Sequence, residues 1–175
     1  LLLAIPVRLY GLAVDPGVHQ VTAQIDGASQ QSGLQALSGK AKCDVNVISL
    51  NYSTVGPKGE VTNASGVLLM PAGSCATGAP LVAYAKGTDV QKPRTLVNPQ
   101  DSETFLLTAM YAAQGYAVVA TDYLGYAKST FPYHPYLHAD SEARTVLDSV
   151  RAARAAVTSA GGTLSGKVMF TGYSQ

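Results

Sequence analysis

The residues that close the sequence have the types and spacing needed for nucleophilic chemistry. An apolar, strand-like run at residues 168–170 leads through Thr171 into Gly172-Tyr173-Ser174-Gln175. These four residues match the first four positions of a G-x-S-x-G pattern, in which a sharp turn from strand to helix exposes the serine hydroxyl. Glycine two positions before the serine avoids crowding in such a turn. We interpret Ser174 as a nucleophile, with an ordinary polar turn after a strand as the alternative.

Two further stretches place polar residues where predicted strands end. Residues 81–85 form a short continuous apolar run, typical of a strand covered on both faces, and Lys86-Gly87-Thr88 follows it. Residues 116–122 form the next buried strand, and Tyr123 comes directly after it. Ligands of open α/β sheets bind beyond the carboxyl ends of the strands. We therefore expect the loops after these strands to converge with Ser174 on one site.

A hairpin precedes these strands. A period-two alternation of side chains begins at Val45 and stops at the turn formed by residues 56–59, and a second strand-like run extends from Val61 to Met70. Two such runs separated by a short turn pair with each other in antiparallel fashion. We assign both strands to the edge of the sheet.

Two helical patterns separate the apolar strands. Asp101 or Ser102 is expected to cap a helix that runs to Gly115, because apolar residues recur there every three or four positions. A second, longer helix begins at Leu137 or Asp140 and ends at a pair of glycines. Strands that alternate with helices of this length pair in parallel through right-handed crossovers. The sequence therefore predicts a layered α/β domain with a mostly parallel central sheet.

The domain is expected to occupy residues 43–175. Residues 1–42 show no sustained period and form an N-terminal extension of unclear role, in which residues 27–39 are interpreted as loop. The opening residues 1–6 are apolar and fit either the tail of a trimmed secretion signal or a short segment of the fold.

The two cysteines predict a covalent link across the hairpin. Cys43 and Cys75 bracket the two antiparallel strands, so the pairing of these strands would bring the sulfur atoms within bonding distance. A disulfide places the protein in an oxidising compartment, either secreted or periplasmic. The alternative is two buried free thiols. Two cysteines with no metal-type cluster around them are too few for a zinc site.

Composition narrows the choice of function class. The chain has 12 basic and 11 acidic residues, with a formal net charge of +1 and no block of either sign. We therefore expect no nucleic-acid partner. No apolar run approaches the roughly 20 residues of a membrane span. The glycine patterns lack the spacing of phosphate or dinucleotide sites, so no cofactor is expected.

Taken together, these motifs resemble those of the α/β-hydrolase superfamily. The chain is most similar to the secreted lipase and esterase branch, of the fungal lipase A type, over residues 43–175. The resemblance rests on Lys86-Gly87-Thr88 after an apolar strand, on residues 115–125, on the helix that ends at residues 150–154, and on the final Gly-Tyr-Ser-Gln. It implies a three-layer α/β-hydrolase fold of which this chain forms the N-terminal half.

The resemblance implies a role for each residue around the strand ends. Ser174 would be the nucleophile, and the backbone N–H of Gln175 would be one donor to the oxyanion. The second donor would be the N–H of Gly87 or, in preference, Thr88. Ser174 would attack an ester carbonyl held by these donors and form an acyl-enzyme that water clears. Neither a cofactor nor a metal ion is implied.

Four side chains are candidates for the walls of a substrate pocket: Lys86, Tyr123, Tyr173 and His134. Lys86 stands where the family often has a histidine before the glycine. His134 belongs to an aromatic and proline-rich loop, which would either line the pocket or simply pack against the domain.

The remaining triad members are expected beyond Gln175. In this fold the nucleophile, the acid and the histidine follow each other in that order along the chain. The order argues against His134 and His138 as the base and against Asp122 as the acid. We expect Asp122 to be structural and to anchor the turn that follows it.

The resemblance also implies a partner segment and a substrate class. A central strand at residues 168–171 would leave a sheet edge unpaired, so we expect the C-terminal half of the same domain to complete the fold, as a continuation or a second chain. The substrate would be a small-molecule or lipid ester. Two alternatives stay open: a peptidase or other acyl hydrolase on the same fold, and a non-catalytic binding domain of α/β-hydrolase type.

Overall fold

The computed structural model describes residues 13–15 and 17–175. The apolar segment at residues 1–6 lies outside the described residues. Within these residues, one mixed sheet contains seven strands: β1 (Ala13–Asp15), β2 (His19–Gln20), β3 (Val45–Val55), β4 (Val61–Pro71), β5 (Ala79–Ala85), β6 (Ala117–Thr121) and β7 (Leu164–Gly172). The described helices are α1 (Thr22–Gln31), α2 (Gln35–Ser38), α3 (Ser102–Met110) and α4 (Ala139–Ala156), with short 3₁₀ turns at Gly73–Ala76 and Ala112–Gln114.

The strand order across the sheet is β1-β3-β4-β6-β5-β7, with β2 also paired to β3. β3 and β4 form the predicted antiparallel hairpin, in register from Val45 opposite Pro71 to Val55 opposite Val61. β5 pairs in parallel with β6 on one side and with β7 on the other. The carboxyl ends of β5, β6 and β7 therefore meet at one edge of the sheet.

The assignment of the hairpin to the sheet edge was wrong. β4 pairs with β6 over residues 66–69, and β3 carries β1 and β2 on its other side. A side chain at Gly66 would place its Cβ 2.3 Å from the carbonyl oxygen of Ala120, so the absence of a side chain allows the two strands to approach. The continuous buried run of β4 fits this interior position, since it is covered on both faces.

Helices cover both faces of the sheet. Successive residues of β5 point to opposite sides: Leu81 packs in one core cluster with Val146 and Val150 of α4, and Val82 packs in the other with Leu107 of α3. Ile25 of α1 belongs to the same cluster as α3. The architecture is thus three layers, as the resemblance implied; the sheet is mixed, and among the described strands only β5, β6 and β7 pair in parallel.

The predicted helix boundaries hold at the N-termini better than at the C-termini. The Asp101 side chain accepts hydrogen bonds from the N–H groups of Glu103 and Thr104 and caps α3. α3 ends at Met110 rather than at Gly115, which instead has φ 100° and closes the following 3₁₀ turn. α4 is capped by the His138 side chain, which accepts from the N–H of Ser141.

Residues 27–39 are not a loop, as the sequence had suggested. They contain the second half of α1 and all of α2. α1 buries only Ile25 and Ser29, so it shows no apolar stripe from which a helix would be recognised. Asp26 fixes the connection to the sheet, because its carboxylate accepts from the N–H of Ala41 at 2.7 Å and from the side chain of Gln35 at 3.1 Å.

The predicted disulfide between Cys43 and Cys75 is present, with a Cα–Cα distance of 6.0 Å. It joins the residue two before β3 to the 3₁₀ turn that follows β4, and so ties the outer ends of the hairpin. Within the described part of the chain, no helix is both long and apolar enough to cross a membrane.

Candidate active site

The turn after β7 has the strained geometry that an exposed nucleophile requires. Ser174 has φ 64°, a conformation that residues other than glycine rarely adopt, and its side chain is exposed. A Cβ at Gly172 would lie 2.9 Å from the Ala85 carbonyl oxygen and 3.0 Å from the Ala85 Cβ. The N–H of Tyr173 donates to the same carbonyl at 3.1 Å. The end of β5 therefore determines where Ser174 projects.

The loop after β5 lies directly against this turn. A Cβ at Gly87 would lie 2.7 Å from the Tyr173 ring, so only glycine fits there without a shift of the ring. The next residue, Thr88, is exposed, and its hydroxyl lies 3.4 Å from that of Tyr136. The loops after β5 and β7 thus meet at the sheet edge, as the strand order predicted.

The three backbone donors considered for an oxyanion differ in their present partners. The N–H of Gly87 donates to the Glu103 carboxylate at 3.0 Å. The N–H of Gln175 donates to the Tyr173 carbonyl at 2.9 Å, across the Ser174 turn. Among the described residues, the Thr88 N–H has no hydrogen-bond acceptor within range. The Thr88 N–H is therefore available to an added acceptor.

Lys86 lies beneath the loop and is 1% exposed. Its ammonium is 3.0 Å from the Asp89 carboxylate and 4.3 Å from the centre of the Tyr126 ring. Burial opposes ionisation of Asp89, but the hydrogen bonds from the Gln91 N–H and from Lys86 outweigh it and lower the pKa of Asp89 to about 2. Lys86 thus holds the loop from inside and does not line an open pocket.

A network of charges surrounds the same loop. Arg94 contacts Asp89 at 3.2 Å, Asp101 at 2.7 Å and Glu103 at 2.9 Å. The hydrogen bonds to Asp101 are the largest cause of a raised Arg94 pKa. Glu103 also accepts from the Tyr84 hydroxyl at 2.6 Å, and burial raises the pKa of that phenol. The sequence analysis did not identify Glu103, Arg94 or Tyr84 as parts of this network.

The loop after β6 is built from aromatic rings. Tyr123 is buried and has φ 70°. The His134 ring stacks on Tyr123 with 5.7 Å between ring centres and lies 4.8 Å from the ring of Tyr126. Gly125 has φ 80°, and a Cβ there would lie 2.3 Å from the Tyr133 carbonyl carbon, so the chain passes close to itself at this point.

His134 is held by both ring nitrogens. Nδ1 lies 3.0 Å from the Leu124 carbonyl oxygen, and Nε2 lies 2.9 Å from the Gln175 amide nitrogen. The Gln175 amide also donates to Glu142 at 2.5 Å. Because a carbonyl only accepts, Nδ1 carries the proton and Nε2 accepts from Gln175. Burial lowers the pKa of His134, which agrees with a neutral ring.

Asp122 is fully buried and structural. Its carboxylate accepts from the Leu96 N–H at 2.8 Å, from the Ser65 hydroxyl at 2.7 Å and from the Thr95 hydroxyl at 3.2 Å. Burial raises the pKa of Asp122, whereas these donors and Lys86 oppose the rise. We expected Asp122 to anchor the turn that follows it, but its carboxylate instead holds the segment before α3.

The four candidate pocket residues differ in their exposure and in their distance from the Ser174 turn. Tyr173 is exposed beside Ser174, and His134 reaches the turn through Gln175. Lys86 and Tyr123 are buried beneath their loops. A separate open cavity of about 580 Å³ is lined by the polar segment at residues 89–102 and does not include Ser174. Among the described residues, no His, Cys, Asp or Glu side chains cluster in a way that would hold a metal ion.

The sheet order, the helices on both faces and the strained serine turn after the strand beside β5 define part of an α/β-hydrolase fold. Comparison with known proteins agrees with this class. Residues 92–175 match the family model described as secretory lipase. The resemblance predicted from the sequence, to secreted lipases and esterases of this superfamily, is therefore confirmed.

Solved structures of proteins from three organisms are similar to this chain. The rice cell wall degrading esterase LipA from Xanthomonas oryzae is 36% identical with a TM-score of 0.82, and the match covers 94% of this chain and 42% of that one. A putative hydrolase from Legionella pneumophila is 23% identical with a TM-score of 0.81, covering 94% and 43%. Candida antarctica lipase A is 17% identical with a TM-score of 0.52, covering 93% and 34%.

The last two likenesses concern the fold alone. The chain spans about 42% of the length of the esterase LipA to which it is similar. A comparison with curated protein sequences gave no match.

Proposed function

We propose that this chain carries the nucleophile of a secreted carboxylic ester hydrolase and that the nucleophile is Ser174. The observation that carries the proposal is the φ of 64° at an exposed serine, two residues after Gly172, which has no room for a side chain. Strain of this kind collects at functional sites, where the surrounding structure holds it in place. The similarity to secretory lipases and to an esterase supports the same reaction class.

In the proposed reaction, the Ser174 hydroxyl oxygen attacks the ester carbonyl carbon while a base removes its proton. The tetrahedral intermediate places its negative oxygen at the Thr88 N–H and at the Gln175 N–H, once the latter turns from the Tyr173 carbonyl. The carbonyl re-forms, the alcohol leaves with the proton, and an acyl group stays on Ser174. Water then attacks the acyl group and releases the acid.

The base and the acid are proposed to come from residues that follow Gln175 in the chain, in the order typical of this fold. His134 is unsuited to the role, because its Nδ1–H donates to the Leu124 carbonyl and its Nε2 accepts from Gln175. In this proposal, the chain contributes the first part of the domain, and the continuing part completes both the sheet and the triad. The disulfide supports action outside the reducing cytosol.

The proposed substrate is a small-molecule or lipid ester whose acyl group would reach Ser174 beside the exposed Tyr173 ring. The similar protein from Xanthomonas oryzae is described as a cell wall degrading esterase, so esters of cell-wall polymers are one class to test. Aliphatic p-nitrophenyl esters of increasing chain length would measure the acyl preference directly.

The experiment uses the full-length protein and a fluorophosphonate probe, read by intact mass. We expect one covalent adduct, located on Ser174, and none in a Ser174→Ala variant, whose ester hydrolysis should fall by about 10³-fold or more. Ser165→Ala, an exposed serine on the same strand, should label like the unmodified protein. Unchanged activity in Ser174→Ala would refute the nucleophile. Absence of both activity and labelling in the parent protein would favour a non-catalytic binding domain.

A further inference from the structure

The Glu103 side chain connects the charge network to the loop that would bind the oxyanion. One carboxylate oxygen accepts from the Gly87 N–H at 3.0 Å and from the Tyr84 hydroxyl at 2.6 Å. The other oxygen accepts from Arg94 at 2.9 Å. The side chain is only 13% exposed, so its three donors replace water almost completely.

The position of this carboxylate is fixed from two directions. Glu103 lies in the first turn of α3, whose N-terminus is held by the Asp101 cap. Arg94 grips Asp101 through two nitrogens, at 2.7 and 3.0 Å, and reaches Glu103 with one of the same nitrogens. Bidentate arginine pairs define orientation as well as distance. Rotation of the Glu103 carboxylate would break several of these bonds together.

The bond from Gly87 has a consequence for the next peptide unit. It engages the N–H of the second residue after β5, and Gly87 itself lies against the Tyr173 ring. The Thr88 N–H that follows is left without an acceptor among the described residues. The buried anchor on the Gly87 N–H and the contact of Gly87 with the Tyr173 ring therefore together restrict the orientation of the Thr88 N–H.

We propose that Glu103 is a positioning residue that holds the Thr88 N–H in the direction of the developing oxyanion. The proposal rests on the proposed function, since it requires an oxyanion at Ser174. Glu103 does not touch the substrate; it acts through the Gly87 peptide. Donors of this kind stabilise the transition state only when their direction is set before the reaction.

The test compares Glu103→Ala and Glu103→Gln in the full-length protein. A misplacement near 1 Å can cost about 100-fold, so Glu103→Ala should lower kcat by about 10- to 100-fold and change KM by less than about threefold. The rate of phosphonylation by the fluorophosphonate probe should fall in proportion. Glutamine keeps an oxygen that can accept from Gly87, so Glu103→Gln should recover kcat to within about fivefold of the parent.

Asp148→Ala is the matched control, because Asp148 is a carboxylate of similar exposure, 15%, that accepts from Thr54 and Arg151 and makes no contact with the Arg94 network. We expect a lower melting temperature and an unchanged kcat. If Glu103→Ala fails to fold, Glu103→Asp serves instead, since it keeps the charge and withdraws the carboxylate by one methylene. Its kcat should fall at least about fivefold.

Two results would overturn the positioning role. One is a kcat for Glu103→Ala, or for Glu103→Asp if that variant is used, equal to that of Asp148→Ala. The other is a rise in KM with kcat retained. Failure of the proposed function looks different, because then either Ser174→Ala keeps the activity of the parent protein, or the parent protein itself shows neither activity nor labelling.

Discussion

The loops after β5 and β6 end at the same edge of the sheet but are held by different kinds of interaction. The first is fixed by charge: Lys86, Arg94 and Glu103 make directed contacts between 2.9 and 3.2 Å with carboxylates and backbone groups. The second is fixed by ring packing and by backbone conformation, with His134 between two tyrosines and Gly125 at a close crossing of the chain.

The difference suits the proposed tasks of the two loops. A charge-assisted hydrogen bond sets the direction of a peptide group, which is what an oxyanion donor needs. Ring packing depends on contact area and sets the shape of a wall with less control of direction. The two loops should therefore respond differently to substitution, to salt and to pH.

The largest effect is expected from Gly125→Ala in the loop after β6. The added Cβ would meet the backbone at Tyr133 and His134, which no side-chain rotation can relieve, and φ 80° is unfavourable for alanine. Strain and overpacking together should lower the free energy of unfolding by roughly 3–4 kcal/mol. Urea denaturation measures the change.

Gly59→Ala separates backbone strain from overpacking. Gly59 has φ 83°, so alanine is strained there, but an added Cβ has nothing within 4 Å. It should cost only about 1 kcal/mol. Equal losses at Gly59 and Gly125 would show that packing of the chain at the aromatic loop adds nothing.

Arg94→Ala should have the next largest effect and is aimed at the charged loop. It leaves three carboxylates without their common partner at a site where the arginine is 24% exposed. Because solvent screens part of this charge, we expect a loss of roughly 2–3 kcal/mol in the free energy of unfolding. The loss should shrink in 1 M salt, whereas that of Gly125→Ala should not.

The control for Arg94 is Arg151→Ala, since Arg151 is 58% exposed and pairs with Asp148 within one helix. The free energy of unfolding of Arg151→Ala should fall by less than about 1 kcal/mol. If the effect of Arg94→Ala does not depend on salt, the charged loop is held mainly by the packing of the arginine stem.

The sequence predicted the parts of the fold that depend on local patterns. Strands β3 to β7 follow from alternation or from continuous apolar runs, and the Asp101 cap follows from residue type. Helix α1 was not predicted because only two of its residues are buried and because its N-cap residue is Val21, whose side chain cannot cap a helix. The interior position of the hairpin in the sheet was not predicted either. It depends on the pairing of β4 with β6, which lies about 50 residues further along the chain.

The candidate site shows the same division. The turn at Ser174 and the neighbouring Gly87 were indicated by short motifs. The bonds of Glu103 to Tyr84, Gly87 and Arg94 depend on the path of the loop between β5 and α3, which has no periodic signal. An arginine within reach of acidic residues at both ends of that loop was the available clue, but spacing alone does not show which carboxylate it binds.

The smallest effect is a pH dependence of the aromatic loop. Burial lowers the pKa of His134 below its ordinary 6.5; Lys86 adds to this, and the Leu124 carbonyl, Glu142 and Asp89 oppose it. Because the folded state favours the neutral ring, stability is complete above pH 6.5 and declines as the pH falls from there towards the folded pKa.

In His134→Gln the amide can still donate to Leu124 and accept from Gln175, but it does not titrate. Melting temperatures between pH 8 and pH 5 should therefore fall more in the parent protein than in this variant, by a few degrees at most. Identical pH profiles would show that His134 does not couple this loop to pH.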